Sequence, residues 1–256
     1  MGESTETTDW SLTNGHGYIL NRDRAHAAAS RLNLQFYLWK DALGFNIHPV
    51  VAAELRPDAR IAEAPPTAWL PAGTSLRRWN VLEDVPDDLV GTFDYVHTRL
   101  LVLVVENKDP RPILRNLLRL LKPGGYLQWD ELDTVHMAVH KIDTALATPA
   151  LDQLRAWSWA GGRRDWTVRL AEFMADVGFS AAKTDFYGDP LPLVRAFNEQ
   201  HLLTADEFAL GLAKLGQADA ANKYFKLVED AYVESVVGAS LSVPRVVCTA
   251  QKPVER

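Results

Sequence analysis

Apolar side chains at Ala25, Ala28, Leu32, Phe36, Leu38 and Trp39 recur near helical spacing, and Gly44 supplies a stop, so the pattern predicts a long amphipathic helix over 22–43. Further on the period changes to two. Arg60-Ile-Ala, Ser75 to Leu82, Phe93-Asp-Tyr-Val-His, Tyr126-Leu-Gln-Trp, Lys183 to Tyr187 and Arg245 to Ala250 read as strands. Between the third and fourth of these, Pro112 to Leu121 carries leucines at helical spacing, with proline near its first turn and Lys122-Pro-Gly-Gly as its stop. Strand, crossover helix and strand make a βαβ unit, so these two strands should be parallel and belong to a sheet covered by helices. Helices are also predicted over 152–159, 166–177, 205–215 and 222–237. Residues 1–16 are polar and predict a loose arm.

Composition narrows the class. The chain has 256 residues, 47% hydrophobic and 23% charged, enough for one substantial core. A net charge of −6 gives no positive field for a phosphate backbone or an anionic membrane, which argues against nucleic acid or membrane as partner. The single cysteine, Cys248, forms no internal disulfide and the first residues lack an apolar leader, so a cytoplasmic location is expected. The longest apolar run, Leu100 to Val105, is far below the roughly 20 residues of a membrane-spanning helix.

Phe93-Asp-Tyr-Val-His-Thr-Arg, the Pro112 helix and Leu-Lys-Pro-Gly-Gly-Tyr-Leu-Gln-Trp-Asp-Glu resemble the second half of a class I S-adenosylmethionine-dependent methyltransferase core. Tyr18-Ile-Leu-Asn-Arg, Tyr37-Leu-Trp-Lys, Gly44-Phe-Asn-Ile-His-Pro and Val243-Pro-Arg-Val-Val resemble the fungal secondary-metabolite branch of that family. The resemblance runs from about Tyr18 to Pro253. It implies an α/β, Rossmann-like fold with a mostly parallel sheet: an arm and helical lid over 1–56, then a core over 57–256 with a helical insertion near 190–238. One strand and one helix of that fold are missing. In the family the first strand enters a glycine-rich turn and a helix, and a second strand then ends in an acidic residue for the ribose. Here Arg60-Ile-Ala-Glu passes directly to Ala64-Pro-Pro, Gly73 is the one glycine between Gly44 and Gly91, and the roughly 30 residues such a segment needs are not there. No cofactor is therefore carried over, and no cofactor-binding residue is assigned.

Ligands of parallel sheets sit at the carboxyl ends of the strands, where His97 and Arg99 follow one strand and Asp130, Glu131 and Asp133 another. His97, Arg99, Asp130 and Glu131 are the candidate catalytic set, with imidazole and carboxylates for proton transfer. The plainer alternative is an Arg99 ion pair and a loop-capping Asp130. His16, Tyr18, Trp39, Trp79, Trp129 and Asp133 are candidate substrate contacts, the tryptophans as flat apolar walls. His48, in the lid, is more simply structural. His136 and His140, four apart on a supposed helix, lack a third ligand, so no metal is assigned. The function implied is a cofactor-independent cyclase, pericyclase, dehydratase or isomerase of secondary metabolism, acting on a hydrophobic small molecule as a homodimer. The alternatives are a methyltransferase with an atypical cofactor site and a non-catalytic partner of an intact methyltransferase.

Overall fold

The computed structural model of the chain describes residues 25–62, 74–105, 107–158 and 164–254. In chain order its elements are α1 (Ala25–Leu43), α2 (Pro49–Ala52), β1 (Ile61–Ala62), β2 (Phe93–Arg99), α3 (Arg111–Leu120), β3 (Leu121–Leu132), β4 (Ala138–Lys141), α4 (Pro149–Ser158), α5 (Leu170–Asp176), β5 (Ser180–Tyr187), α6 (Val194–Lys214), α7 (Ala218–Val236), β6 (Ala239–Ser242) and β7 (Arg245–Gln251). No described helix is long and apolar enough to cross a membrane. The elements divide into two compact units.

The first unit takes in the described residues of 43–135, 164–188 and 244–254. Its five-stranded sheet has the order β1-β2-β3-β7-β5. β1, β2 and β3 are parallel and β7 is antiparallel to both β3 and β5, so four strands share a direction. This is the mostly parallel, Rossmann-like α/β architecture that the sequence implies, including the parallel β2-α3-β3 unit. α3 forms because Ile113, Leu114, Leu117 and Leu120 fall on one face and are all buried, with Pro112 in the first turn, where a missing N–H costs nothing. Each such leucine contributes about 1.5–3 kcal/mol by leaving water. α3 and α5 pack against the sheet and each other.

Three sequence expectations in this unit are corrected. Lys122-Pro-Gly-Gly does not end α3 as a separate turn; it lies inside β3 as an irregularity, with the register passing from Phe93 opposite Leu121 to Tyr95 opposite Tyr126. Residues 74–80 are not the predicted strand but an irregular, mostly exposed segment. There Trp79 donates its indole N–H to the Asp84 carbonyl at 3.0 Å and Asn80 Oδ1 accepts the Leu82 N–H at 3.1 Å, so local turn bonds replace a ladder. The helix predicted over 166–177 opens as a 3-10 turn, Asp165–Arg169, before α5.

The second unit gathers the described residues of 25–42, 136–158 and 189–243. α6 starts well before the predicted Ala205 and is joined to α7 by Leu215, Gly216 and Gln217, with Gly216 in the left-handed region at φ 77°. Arg31 of α1 grips both carboxylate oxygens of Glu207 of α6 at 2.8 and 3.0 Å. The Glu234 carboxylate of α7 accepts the first amides of α4, from Ala150 and Leu151, at 2.7 and 2.8 Å, meeting the unpaired donors of a helix start. β4 and β6 form a two-stranded antiparallel sheet that the sequence did not reveal. His140 sits in β4 opposite Ser240, so His136 and His140 do not share a helical face.

Candidate functional site

β2 and β3 are in register with His97 opposite Gln128 and Arg99 opposite Asp130, which brings their side chains to one face at the carboxyl ends of the strands. Asp130 is fully buried. Its Oδ2 lies 2.9 Å from His97 Nε2 and accepts from Arg99 Nε and Nη2 at 3.0 and 2.7 Å. Its Oδ1 accepts Gln128 Nε2–H at 2.9 Å. Burial alone would raise this carboxyl, but the hydrogen bond and charge of His97, with Arg99 and Gln128, outweigh it and hold Asp130 below the usual carboxylate range. An ionised Asp130 only accepts, so the hydrogen on His97 Nε2 points at it.

Gln128 links this cluster outward. Its Oε1 accepts the Tyr95 hydroxyl at 2.9 Å and the His48 backbone N–H at 2.8 Å, which fixes the orientation of the amide. The Tyr95 ring stacks parallel to His97, 6.2 Å between centroids. His48 caps α2 by accepting the Val50 N–H at Nδ1, and its Nε2 lies 3.2 Å from Asp185 of β5. Charged and polar side chains thus run across one sheet face from Asp185 to Arg99. Both ends of this run reach solvent, Arg99 with its side chain 14% exposed and Asp185 with its side chain 23% exposed.

Glu131 does not join them, and this corrects the catalytic set. Alternation along β3 turns it to the opposite face, where Trp129 donates its indole N–H to Glu131 Oε2 at 3.3 Å and Leu132 donates its backbone N–H to Oε1 at 3.0 Å. The amides of Val102 and Leu101 also face this carboxyl, and burial pushes it up to about 7 against those donors. Leu100, at φ 58°, turns the chain there and donates its own N–H to the Asp130 carbonyl at 3.0 Å. Trp129 is likewise a core residue rather than a substrate wall: it is fully buried, with Trp166 edge-on at 5.8 Å. Asp133 closes a turn by accepting the Val135 N–H at 3.1 Å. Trp79 lines a cavity of about 510 Å³ with Arg77, Arg78 and Asn80. Trp39 is buried in α1 of the helical unit. His16 and Tyr18 lie outside the described residues.

No family model matches the chain. Methyltransferase grgD of Penicillium sp is 38% identical over 102 residues, which are 38% of this chain and 35% of grgD. N-methyltransferase tcpN of Claviceps purpurea (strain 20.1) is 22% identical over 190 residues, 62% of this chain and 68% of tcpN. The chain is thus similar in sequence to two fungal proteins named as methyltransferases. This methyltransferase-like chain spans about a third of the length of grgD. Among solved structures, the [4+2]-cyclase SpnF is similar at a TM-score of 0.34 and 21% identity, over 69% of this chain and 56% of that one, values too low to bear on activity.

Such a fold implies S-adenosylmethionine, and the described residues of the methyltransferase-like chain do not form the family's cradle for it. β1 is followed, within 74–92, by a single 3-10 turn, Asp87–Leu89, and by no α-helix whose first amides could face a cofactor. No described strand stands beyond β1 to end in a ribose-binding carboxylate. Gln128, Tyr95, His48 and Asp185 were not assigned to the site from sequence. The period of two in Tyr126 to Glu131 carries the signal for Gln128, since it places Gln128 with Asp130 and separates both from Trp129 and Glu131.

Proposed function

We propose that this methyltransferase-like chain is a small-molecule enzyme of secondary metabolism that catalyses a cofactor-independent cyclisation, dehydration or isomerisation of a hydrophobic intermediate. The observation that carries the reading is the buried His97, Asp130 and Arg99 cluster at the strand ends. Asp130 accepts the Nε2–H of His97 and the Arg99 guanidinium, so the pair can supply an imidazole for proton transfer and a cation for negative charge developing on a substrate oxygen. Enclosure of an apolar substrate in one folded conformation supplies much of the remaining acceleration.

A second reading, methyl transfer from S-adenosylmethionine held at an atypical site, is favoured by the names of both curated relatives. Isothermal titration of the full chain with S-adenosylmethionine and S-adenosylhomocysteine separates the two. No detectable heat, together with turnover of an intermediate that drops about 10²–10⁴-fold in His97→Phe and Asp130→Asn, supports the first reading. Micromolar binding of either compound overturns it in favour of the second.

The homodimer also remains a proposal, supported by exposed apolar side chains of the helical unit: Ile142, Tyr232, Val233, Val236 and Val237. Sedimentation at twice the chain mass, reduced to the single mass by Val236→Lys, is the expected result.

A further inference from the structure

In the helical unit α4, α6 and α7 enclose an apolar groove of about 460 Å³ whose walls are Trp157, Phe208, Leu212 and Tyr224. The Tyr224 ring lies at its centre, 5.8 Å from that of Trp157 and 5.1 Å from that of Phe208. Tyr224 is buried, whereas Trp157 stands 50% exposed, an indole left as an open wall rather than packed into the core. Ala156 and Ala220 also line it. Lys223, beside Tyr224 on α7, lines the same groove and makes no hydrogen bond or ion pair among the described residues. Two other cations nearby are engaged: Arg155 bonds the Met137 carbonyl and meets Asp152 at 4.0 Å, and Lys226 pairs with Asp230.

We propose that this groove is a binding site for a flat, conjugated, apolar carboxylate, its hydrocarbon laid along the wall that Trp157, Phe208 and Tyr224 form and its carboxylate on the Lys223 ammonium. Rings in contact with Tyr224 at 5.8 and 5.1 Å, tilted to it by 43° and 51°, form one continuous aromatic wall, against which a planar π-system can lie. The volume falls within the range of small-molecule sites. A lysine without a partner among the described residues stands at the rim and selects the charge, and among the described residues no carboxylate lines the groove to repel an anion. None of these residues belongs to the His97 cluster, so the site stands independently of the reaction proposed above.

The test is direct binding of cis-parinaric acid, a fluorescent conjugated tetraene carboxylic acid, and of its methyl ester to the full chain. The acid is expected to bind with a micromolar Kd. Lys223→Glu should weaken the acid about tenfold and leave the ester within about twofold, and Trp157→Ala should weaken both about tenfold. Lys223 is exposed, so the charge reversal leaves the fold intact, which circular dichroism checks. Absence of binding, equal affinity of the acid for Lys223→Glu and the parent, or insensitivity of both probes to Trp157→Ala overturns the proposal. Displacement of the probe on raising protein concentration, with a matching rise in sedimenting mass, also overturns it and gives the groove to a second copy of the chain. Binding is read without turnover, so either outcome leaves the acid–base reading to its own test.

Discussion

Asp130 and Glu131 are adjacent acids with opposite environments. Asp130→Asn leaves His97 and Arg99 facing a neutral amide in a buried site, and should cost about 3–5 kcal/mol in urea denaturation at pH 7. The carboxyl of Asp130 is depressed below 3.8, so its stabilisation is fully present above that value and is lost as pH falls through the folded-state value. Glu131 behaves in reverse. Between its unfolded value near 4.5 and about 7 the folded chain holds the extra proton, so stability falls as pH rises across that window. Glu131→Gln should flatten the slope of urea midpoint against pH between 4.5 and 7 while leaving the acid limb, and an unchanged slope would refute the assignment. The convergence of His97, Arg99 and Asp130 was legible in the sequence, because a βαβ unit brings strand ends together whatever else happens. The misplacement of Glu131 came from treating neighbours in sequence as neighbours in space, which a pleated strand forbids, and that of Trp129 from reading an aromatic side chain as a pocket wall where it fills the core.

Elements with the strongest local signals were legible: α3 with its four buried aliphatic residues, β7 with its run of apolar residues, and the parallel pairing of β2 with β3, though only the Tyr126 to Trp129 part of β3 was read as strand. Elements that depend on distant partners were not. β4 and β6 are four residues each and are defined by pairing with one another across about a hundred residues of chain, which no local pattern encodes. The irregular 74–80 segment has strand-like residues whose bonding is captured by Asn80 and Asp84. The two glycines inside β3 differ in what they require. Gly124 sits at φ 80°, which asparagine tolerates, so Gly124→Asn should cost less than about 1 kcal/mol and Gly124→Val clearly more. A side chain at Gly125 would meet the backbone oxygens of Asp94 and Lys122 at 3.0 Å, so Gly125→Ala should cost about 1–3 kcal/mol, read as a lowered urea midpoint.

At the scale of the whole molecule, β7 stands between β3 and β5 and is buried along nearly its full length. Its amides should therefore exchange with solvent only when the sheet unit unfolds as a whole, giving hydrogen-exchange free energies equal to that of global unfolding, whereas the amides of 74–80 should exchange orders of magnitude faster. The same position governs the order of assembly. β2, α3 and β3 are contiguous and can pair early, but β5 has no edge to join until β7, the last of the five strands in the chain, has arrived between them. During synthesis the nascent chain consequently carries β3 with an unsatisfied edge and a half-built polar face throughout the making of α4, α6 and α7. For that interval the β7-facing edge of β3 stands unpaired and the Asp185 end of the polar face is absent, whereas His97, Arg99 and Asp130 already meet on β2 and β3.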